Sequence, residues 1–538
     1  MKRATAPPTS LVANLLRNPE AFPHPAPRLE VLETHISWIV LTGDYAYKIK
    51  KPLDLGFLDF STLEKRRRCC FEEIRLNSRT APELYLEVVS LRGTRERPRI
   101  GGSGPVLDYA VKMREFPQAG LLDRQLSAGT LDRGKIDRVA ALVADLHQRV
   151  EKAPPGSVYG TPTHVHAPVR ENFDQMKSLV NRLEQLRVLR AWSEKEFIRL
   201  APLIEQRQTG GFVRECHGDL HLGNIAENDG RIFLFDAIEF NPDLRWTDVQ
   251  NEVAFLFSDL DHRGRTDLGS RFLNLYLESI GDYQGLALFR YYTLYRIMVR
   301  AKVASIRLAQ SGERALEREL DRYLAQAQRF IAPWRPRLVL TRGLSGSGKT
   351  HTTGELMEQL GGIRIRSDIE RKRLFSLALS ESSDSALGAG IYSAHANLRT
   401  YRKLEQLAEN VLRSGFTVFV DAAFLEEERI APFRNLAYRL GAPAVILDLR
   451  VDPGVLRRRV EKRGRRGADA SEAGLEVLEA QLERYRPLAG PDVVPVLDAT
   501  PIPELVRRLV DKFDTQSILL PALGTRCTER SHDDRARG

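Results

Sequence analysis

The sequence predicts two domains in tandem: an α+β domain of two lobes, then an α/β domain built on a parallel sheet. Three observations carry this expectation. Residues 29–52 alternate apolar and polar side chains as short antiparallel strands do, and long helical patterns follow them. A two-proline break, Ile331-Ala-Pro-Trp-Arg-Pro336, stops the last of those helices. Beyond it, short apolar runs at 337–343, 363–367, 416–420, 445–450 and 493–497 alternate with helical stretches, as parallel strands joined by crossover helices do.

Taken in order, 1–28 reads as an N-terminal extension. Strands are expected at 31–34, 36–42 and 45–50, a helix at 62–80, and further strands at 84–92 and 106–114. This defines an N-lobe over 29–115. The C-lobe, 116–333, is expected to hold helices at 135–151 and 171–206, strand-like chain between 212 and 240, and nearly continuous helix from 245 to 330. The parallel-sheet domain spans 336–515. Residues 516–538 lack any period and read as a disordered tail. The two halves are not repeats of each other.

The chain has 538 residues, 42% hydrophobic and 28% charged, which is the balance of an ordinary soluble protein too long for a single core. No run of about 18 apolar residues suggests a membrane span, and the short apolar run at 11–16 is not a signal peptide. Four cysteines, two of them adjacent, argue against a disulfide framework or zinc site. A cytoplasmic location is expected. The net charge of +10 is spread along the chain and fits nucleotide sites and a basic surface better than nucleic acid recognition.

Two dense motifs carry chemistry. GLSGSGKT (343–350) has the G-x-x-x-x-G-K-[ST] form and lies between a predicted strand and a predicted helix. Glycines let backbone N–H groups of Gly343, Ser345, Gly346, Ser347 and Gly348 turn inward around phosphates, and the helix N-terminus adds positive charge. Lys349 is expected at the β- and γ-phosphates and Thr350 on Mg²⁺. Asp421 ends the next-but-one strand and is a second metal candidate. Asp368 stands where a general base would meet an acceptor hydroxyl, or else caps its helix. Arg459 and Arg463, four apart on a helix, share a face that would clamp a transferring phosphate, with a solvated lid as the bland alternative for Arg463.

The second motif is CHGDLHLGN (216–224), followed by FDAIEF (235–240). An Asp and an Asn five apart on a tight loop, then an Asp after an apolar strand, suit phosphoryl transfer to a hydroxyl. Asp219 would orient and deprotonate the acceptor, while Asn224 and Asp236 would hold metal. His217 reads as loop scaffold, Cys216 as filling, and His221 as a phosphate neighbour or packing group. Arg245 and Asp248 read as a structural pair or helix cap. His164 and His166, taken to lie on a loop, offer only a weak metal pair.

HGDLHLGN resembles the catalytic loop of the aminoglycoside phosphotransferase family, a protein-kinase-like fold, over roughly 30–330. The resemblance implies that Lys48, in Ala46-Tyr-Lys48, anchors ATP, with Lys50 on the same face as its rival. It implies Glu73 as the helix partner, with Glu72, about 100° round the helix, as fallback. Met113 falls where a hinge would bind adenine, and ordinary core is an equal alternative. No G-x-G-x-x-G loop precedes Lys48, so the resemblance points away from protein kinases proper. Residues 336–512 resemble P-loop kinases of the shikimate, gluconate and polynucleotide kinase type and bacterial AAA-type kinases, through GLSGSGKT, SDIERKRLF, VFVDAAF and DASEA (469–473). The whole is similar to bacterial bifunctional aminoglycoside phosphotransferase/ATP-binding proteins. It implies two kinases using ATP and Mg²⁺ on small hydroxylated acceptors; the alternative is one kinase regulated by an ATP-binding P-loop switch. An antibiotic-resistance role lacks the acidic pocket it would need.

Overall fold

The computed structural model describes residues 2–3, 10–56, 58–378, 381, 383, 389–464 and 474–519. The chain divides into two compact units, one of residues 1–265 and 288–331, the other of 266–287 and 332–538.

In the first unit, strands β1 (Lys2–Arg3), β2 (Glu30–Glu33), β3 (Ser37–Leu41), β4 (Tyr45–Lys50), β5 (Tyr85–Gly93), β6 (Pro98–Ile100) and β7 (Val106–Arg114) form an antiparallel sheet in the order β1-β2-β3-β4-β7-β5-β6. The short β1 and β6 extend the five strands expected from alternation. Helix α1 (Ser10–Leu16) packs Val12 and Leu15 on one face with Trp38, Val40, Tyr47 and Ile49. Helix α2 (Leu63–Asn77), capped by Thr62 onto the Lys65 N–H, packs Cys70 and Ile74 on the other, against Ala46, Val111 and Met113. Side chains of β4 thus alternate between two cores, and Lys48 and Lys50 share the α2 side.

The C-lobe continues with α3 (Leu122–Ser127), α4 (Arg133–Arg149), α5 (Pro162–Lys177) and α6 (Leu183–Thr209). The single helix expected over 171–206 is therefore two. Pro162 opens α5 at a position where its missing N–H costs nothing. Strands β8 (Val213–Glu215), β9 (Ile225–Asn228) and β10 (Arg231–Leu234) follow; β9 and β10 form a hairpin carrying the motif loops at its ends. Then come α7 (Pro242–Arg245), β11 (Trp246–Asp248), paired with β8, and α8 (Val249–His262). Helix α9 (Thr266–Ile280) is followed by α10 (Leu286–Ser311) and α11 (Arg314–Ile331).

The second unit is a parallel sheet of β12 (Leu338–Arg342), β13 (Ile363–Arg366), β14 (Val418–Asp421), β15 (Ala444–Arg450) and β16 (Val493–Leu497), ordered β13-β14-β12-β15-β16. Its helices are α12 (Lys349–Leu360), α13 (Ser367–Leu374), α14 (Ala394–Arg413), α15 (Glu427–Leu440), α16 (Pro453–Gly464), α17 (Leu475–Arg484) and α18 (Ile502–Leu519). Strand β12 sits between β14 and β15, so its C-terminal end lies at a switch point where α/β sheets place their sites. One face packs Val339, Phe419, Val445 and Leu447 on Leu356, Leu505, Leu509 and Phe513.

The boundary expected at 333/336 leaves out one segment, because 266–287 clusters with the second unit. Asn274 of α9 accepts the Arg364 N–H at 2.7 Å and donates to the Gly362 carbonyl at 2.9 Å. A side-chain amide thus satisfies backbone groups at the edge strand β13, which would otherwise be open for pairing. Arg271–Glu358 and Arg364–Glu278, each 2.7 Å, fix the same helix. Helix α18 runs to Leu519, so 516–519 is helical; the rest of the expected tail, and DASEA at 469–473, lie outside the described residues.

Candidate functional site

In the first unit, β4 delivers Lys48 and α2 delivers Glu73, and their side chains meet at 2.6 Å. Lys48 also donates to Asp236, which follows β10. Lys50 donates to the second oxygen of Glu73 at 2.6 Å and to Glu239. Exposure separates the two lysines. The Lys50–Glu239 pair is 0% and 3% exposed, whereas the Asp236 carboxylate that Lys48 touches is 44% exposed. Lys48 therefore reaches the cleft and Lys50 is sealed. Glu72 turns away, to Arg75 and Arg245 at 2.7 Å. Burial disfavours the charge, but Asp236 and Glu73 around Lys48, and Glu239 and Glu73 around Lys50, outweigh it, so both ammonium groups stay charged. Burial also pushes Glu73 upward, but its two lysines hold it at about 2.

The loop after β8 folds back on itself. Asn224 donates to both the Asp219 carbonyl, at 2.9 Å, and its carboxylate, at 3.0 Å. His221 lies 3.4 Å from the same carboxylate and accepts the Gly223 N–H. The Asp219 side chain is 37% exposed. Burial raises its pKa, but His221, Arg300 and His217 together bring it below the usual carboxylate range. Behind the loop, Glu252 of α8 accepts the Gly218 N–H at 2.6 Å and the His217 N–H at 3.2 Å, and meets His147 at 2.8 Å. His217 bonds the Phe235 carbonyl at 2.9 Å, which couples the two motif loops.

Asp236 has φ = 65°, in the left-handed region, and its N–H donates to the Tyr85 hydroxyl at 3.0 Å. Such a backbone costs about 1–3 kcal/mol and tends to cluster at functional sites. The Asn224 Oδ1 accepts no hydrogen bond among the described residues, and the Phe235 N–H donates to the Asn224 carbonyl at 3.0 Å, which ties the segment carrying the half-exposed Asp236 carboxylate to the same loop. This donor set of hard oxygens fits Mg²⁺.

The other residues singled out in the sequence take packing and ion-pair positions. Met113 is 7% exposed, with its side chain in the α2 core one residue before β7 ends. Arg245 pairs with Glu72 and Glu215, while Asp248 pairs with Arg207 at 2.6 Å, so both are structural but not partners. His164 and His166 are on helix α5, not a loop. His164 faces Asp243 at 3.5 Å; His166 bonds Tyr291 and Glu194 and stacks on Phe197. Residues two apart on a helix diverge by about 200°, which is why they form no pair. Cys216 is buried against the Thr247 carbonyl.

In the second unit the glycine loop follows β12. Gly346 and Gly348 have φ of 80° and 89°, which L side chains rarely adopt. Lys349 opens α12 and donates to the carbonyls of Gly343 and Leu344 at 3.0 and 2.9 Å, curling over its own loop. Burial lowers its pKa, while Asp421 and Asp368 pull it up and Arg463 pushes it down. These residues of β14, α13 and α16 thus lie within electrostatic range of one ammonium. The Asp421 Oδ2 is buried with no hydrogen-bond partner, as is the Ser347 Oγ, and Thr350 is exposed in the first turn of α12. A buried carboxylate oxygen that accepts no hydrogen bond, with Arg366 only at 3.9 Å, suits a hard cation.

Asp368 is not the cap of α13; Arg366 holds that position and Asp368 lies in the first turn. Arg459 is turned to Asp498 at 2.8 Å, with only a 3.5 Å contact to the Gly346 carbonyl. The Ser345 N–H is taken by the Gln481 Oε1 at 2.9 Å. Gln481, Glu239, Glu252 and Arg300 were not singled out in the sequence. No local pattern marks them, although Glu239 lies within FDAIEF, and only folding brings each to its partner.

Both units have the expected architectures, an antiparallel sheet followed by helices in the first and a parallel sheet with a glycine loop in the second. Residues 338–488 match the AAA domain family. Among solved structures, the chain is similar to the Mycobacterium tuberculosis APS kinase bound to AMPPNP and APS, with 21% identity and a TM-score of 0.26 over 34% of this chain and 99% of that one. It is also similar to a choline/ethanolamine kinase family protein from Mesorhizobium loti, with 12% identity and a TM-score of 0.34 over 56% and 88%. Over 414 residues, 76% of this chain, it is 32% identical to Uncharacterized protein Rv2004c of Mycobacterium tuberculosis, covering 81% of that protein, and Mb2027c of Mycobacterium bovis matches by the same measures. The chain belongs to the family of these mycobacterial proteins.

Proposed function

We propose that the chain is a bifunctional phosphotransferase, each unit transferring the γ-phosphoryl group of ATP to a hydroxyl of a small molecule. The observation that carries this reading is the meeting of Lys48, Glu73 and Asp236 beside the Asp219–Asn224 loop. Residues from a strand, a helix and two loops converge there, as phosphoryl transfer requires.

Lys48, held by Glu73, anchors the ATP phosphates, and Asn224 and Asp236 are the Mg²⁺ ligands. Mg²⁺ held there would supply positive charge to offset the negative charge that develops during transfer. Asp219 orients the acceptor hydroxyl. The acceptor oxygen bonds to the γ-phosphorus as the bridge to ADP breaks, and the hydroxyl proton passes to the Asp219 carboxylate. An aspartate held well ionised is a weak base, which suits a loose transition state where the proton moves late.

In the second unit, the 343–350 loop and Lys349 take the phosphates, Thr350 and Asp421 the metal, Asp368 the acceptor proton, and Arg463, with Arg459 once released from Asp498, the transferring group. The gathering of Asp421, Asp368 and Arg463 around Lys349 supports catalysis here over a purely regulatory ATP switch. Among the described residues no helix is long and apolar enough to cross a membrane. The test is ATP turnover in Asp219→Asn, Lys349→Ala and the double variant: each single change should remove a separable part. If neither lowers phosphoryl transfer to any acceptor, the reading fails.

A further inference from the structure

Strand β13 of the second unit carries two arginines that the proposed chemistry does not use. Arg364 and Arg366, two apart on the strand, project from one face of it. The strand register sets Arg366 beside Asp421, the last residue of β14. Both arginines turn to one acid, Glu278, near the end of α9. Arg364 donates from Nε to the Glu278 Oε1 at 2.9 Å and brings a second guanidinium nitrogen to the same oxygen at 2.7 Å, while Arg366 stands 3.6 Å from Oε2. Each arginine also reaches the nucleotide end of the unit. Arg364 donates to the Thr350 carbonyl at 3.1 Å. Arg366 stops 3.9 Å from the Asp421 Oδ2, the buried oxygen that accepts no hydrogen bond.

Glu278 is itself buried and firmly placed. Asn274, one turn earlier on α9, holds the β13 backbone, and Arg373 of α13 donates to the Glu278 carbonyl. A side chain at Gly281 would come within 2.7 Å of the Arg373 Nε, so that arginine lies flat on the chain leaving the helix. The carboxylate is supplied from ahead of the break at 331–336, so no motif of the P-loop half announces it. A buried guanidinium left without its acid is costly, and Asp421 is within reach of Arg366. An arginine seated on Asp421 would neutralise that carboxylate and cover the oxygen a divalent cation needs. Glu278, at 3.6 Å against 3.9 Å, draws Arg366 the other way and leaves Asp421 uncovered.

We infer that Glu278 is a positioning residue for the proposed metal site of the P-loop unit: by holding Arg364 on the Thr350 carbonyl and Arg366 short of Asp421, it keeps the Asp421 carboxylate open to a divalent cation. This rests on the reading of Thr350 and Asp421 as metal ligands, and adds to it the outer residue that keeps them available.

The test uses the full chain carrying Lys48→Ala, so that nucleotide binding reports the P-loop unit. ATP affinity is measured by isothermal titration with Mg²⁺ and again with EDTA, and the ratio of the two is the Mg²⁺ enhancement. Glu278→Gln should cut that enhancement about tenfold, a usual loss when an outer partner of a metal site is removed, and leave the affinity in EDTA unchanged. In an Arg366→Gln background the same change should have little effect, because no guanidinium remains to close on Asp421. Arg366→Gln alone should raise the enhancement severalfold, which tests the inference even where Glu278→Gln does not fold. A merely structural Glu278 would lower the melting temperature and both affinities together. That outcome, an unchanged enhancement in Glu278→Gln, a loss that persists in the Arg366→Gln background, or an enhancement that does not rise in Arg366→Gln alone would each overturn the inference. Asp421→Asn is the control. If it too leaves the enhancement unchanged, the metal reading is wrong and this inference falls with it; if it abolishes the enhancement and Glu278→Gln does not lower it, this inference alone fails.

Discussion

Glu73 holds two lysines from one strand, Lys48 on one carboxylate oxygen and Lys50 on the other, each at 2.6 Å. The two contacts are alike in length and differ in what lies beyond them. Lys48 continues to an Asp236 open to the cleft, and Lys50 to a Glu239 sealed in the core.

That difference predicts opposite phenotypes. Lys48→Ala should cut ATP-dependent transfer by about 100-fold or more while Lys50 still neutralises Glu73. Lys50→Ala should strand Glu239 and half of Glu73 without a partner and cost about 3–5 kcal/mol of stability, the usual penalty for breaking a buried pair. Urea unfolding and phosphoryl transfer, measured side by side, separate the two; equal stability losses would refute the assignment.

Asp421 makes a prediction in which function and stability part company. Its Oδ2 is buried, accepts no hydrogen bond and has Arg366 only at 3.9 Å, an under-satisfied state that bound metal would relieve. Asp421→Asn should keep or raise the melting temperature while weakening Mg²⁺-dependent ATP binding by about tenfold or more. Isothermal titration with and without Mg²⁺ reads the difference. A destabilised variant with unchanged Mg²⁺ dependence would mean that Asp421 is a structural residue.

Gln481 sits on the Ser345 N–H of the glycine loop. Gln481→Leu should remove that restraint and lower kcat/KM of the P-loop activity by about tenfold, a loss typical of a positioning hydrogen bond, with little change in melting temperature. Rates measured in an Asp219→Asn background isolate that unit. An unaffected rate would show the contact to be incidental.

Acid should weaken the first unit through Glu252. Burial pushes its carboxyl up, but His147, His217 and the Gly218 N–H more than offset this and hold it at about 2, against 4.5 for the free group. A depressed folded pKa means that the unfolded chain binds the extra proton, so the stabilisation is present above about pH 5 and is lost as pH falls toward 2. Glu252→Gln should flatten stability against pH across that window, followed by thermal melts at stepped pH. An unchanged slope would locate the titrating group elsewhere.

The alternating residues of 29–50 and the apolar runs after Pro336 made most strands legible, because side-chain period and turn residues are local properties. The strands Ser37–Leu41, Tyr45–Lys50, Ile363–Arg366 and Val493–Leu497 lie within a residue or so of expectation. The glycine loop and HGDLHLGN were legible for the same reason, since their chemistry is written in consecutive residues. His164 and His166 were misplaced because nothing local distinguishes a loop from the first turn of a proline-opened helix. The membership of α9 in the second unit was invisible, since it depends on Asn274 finding Gly362 and Arg364 about ninety residues away.

The sequence by itself determined that two phosphate-handling motifs stand on two different architectures, one antiparallel and two-lobed, the other a parallel sheet. Periodicity and glycine spacing are enough for that, because they act over a few residues. Only the tertiary structure decided which of Lys48 and Lys50 faces the cleft, that Arg459 is turned to Asp498, and that Glu252 of α8 braces the HGDLHLGN loop from behind. Those outcomes depend on burial and on charges brought together from distant positions, and the Coulomb energy of a pair depends on distance and surroundings that no stretch of sequence specifies.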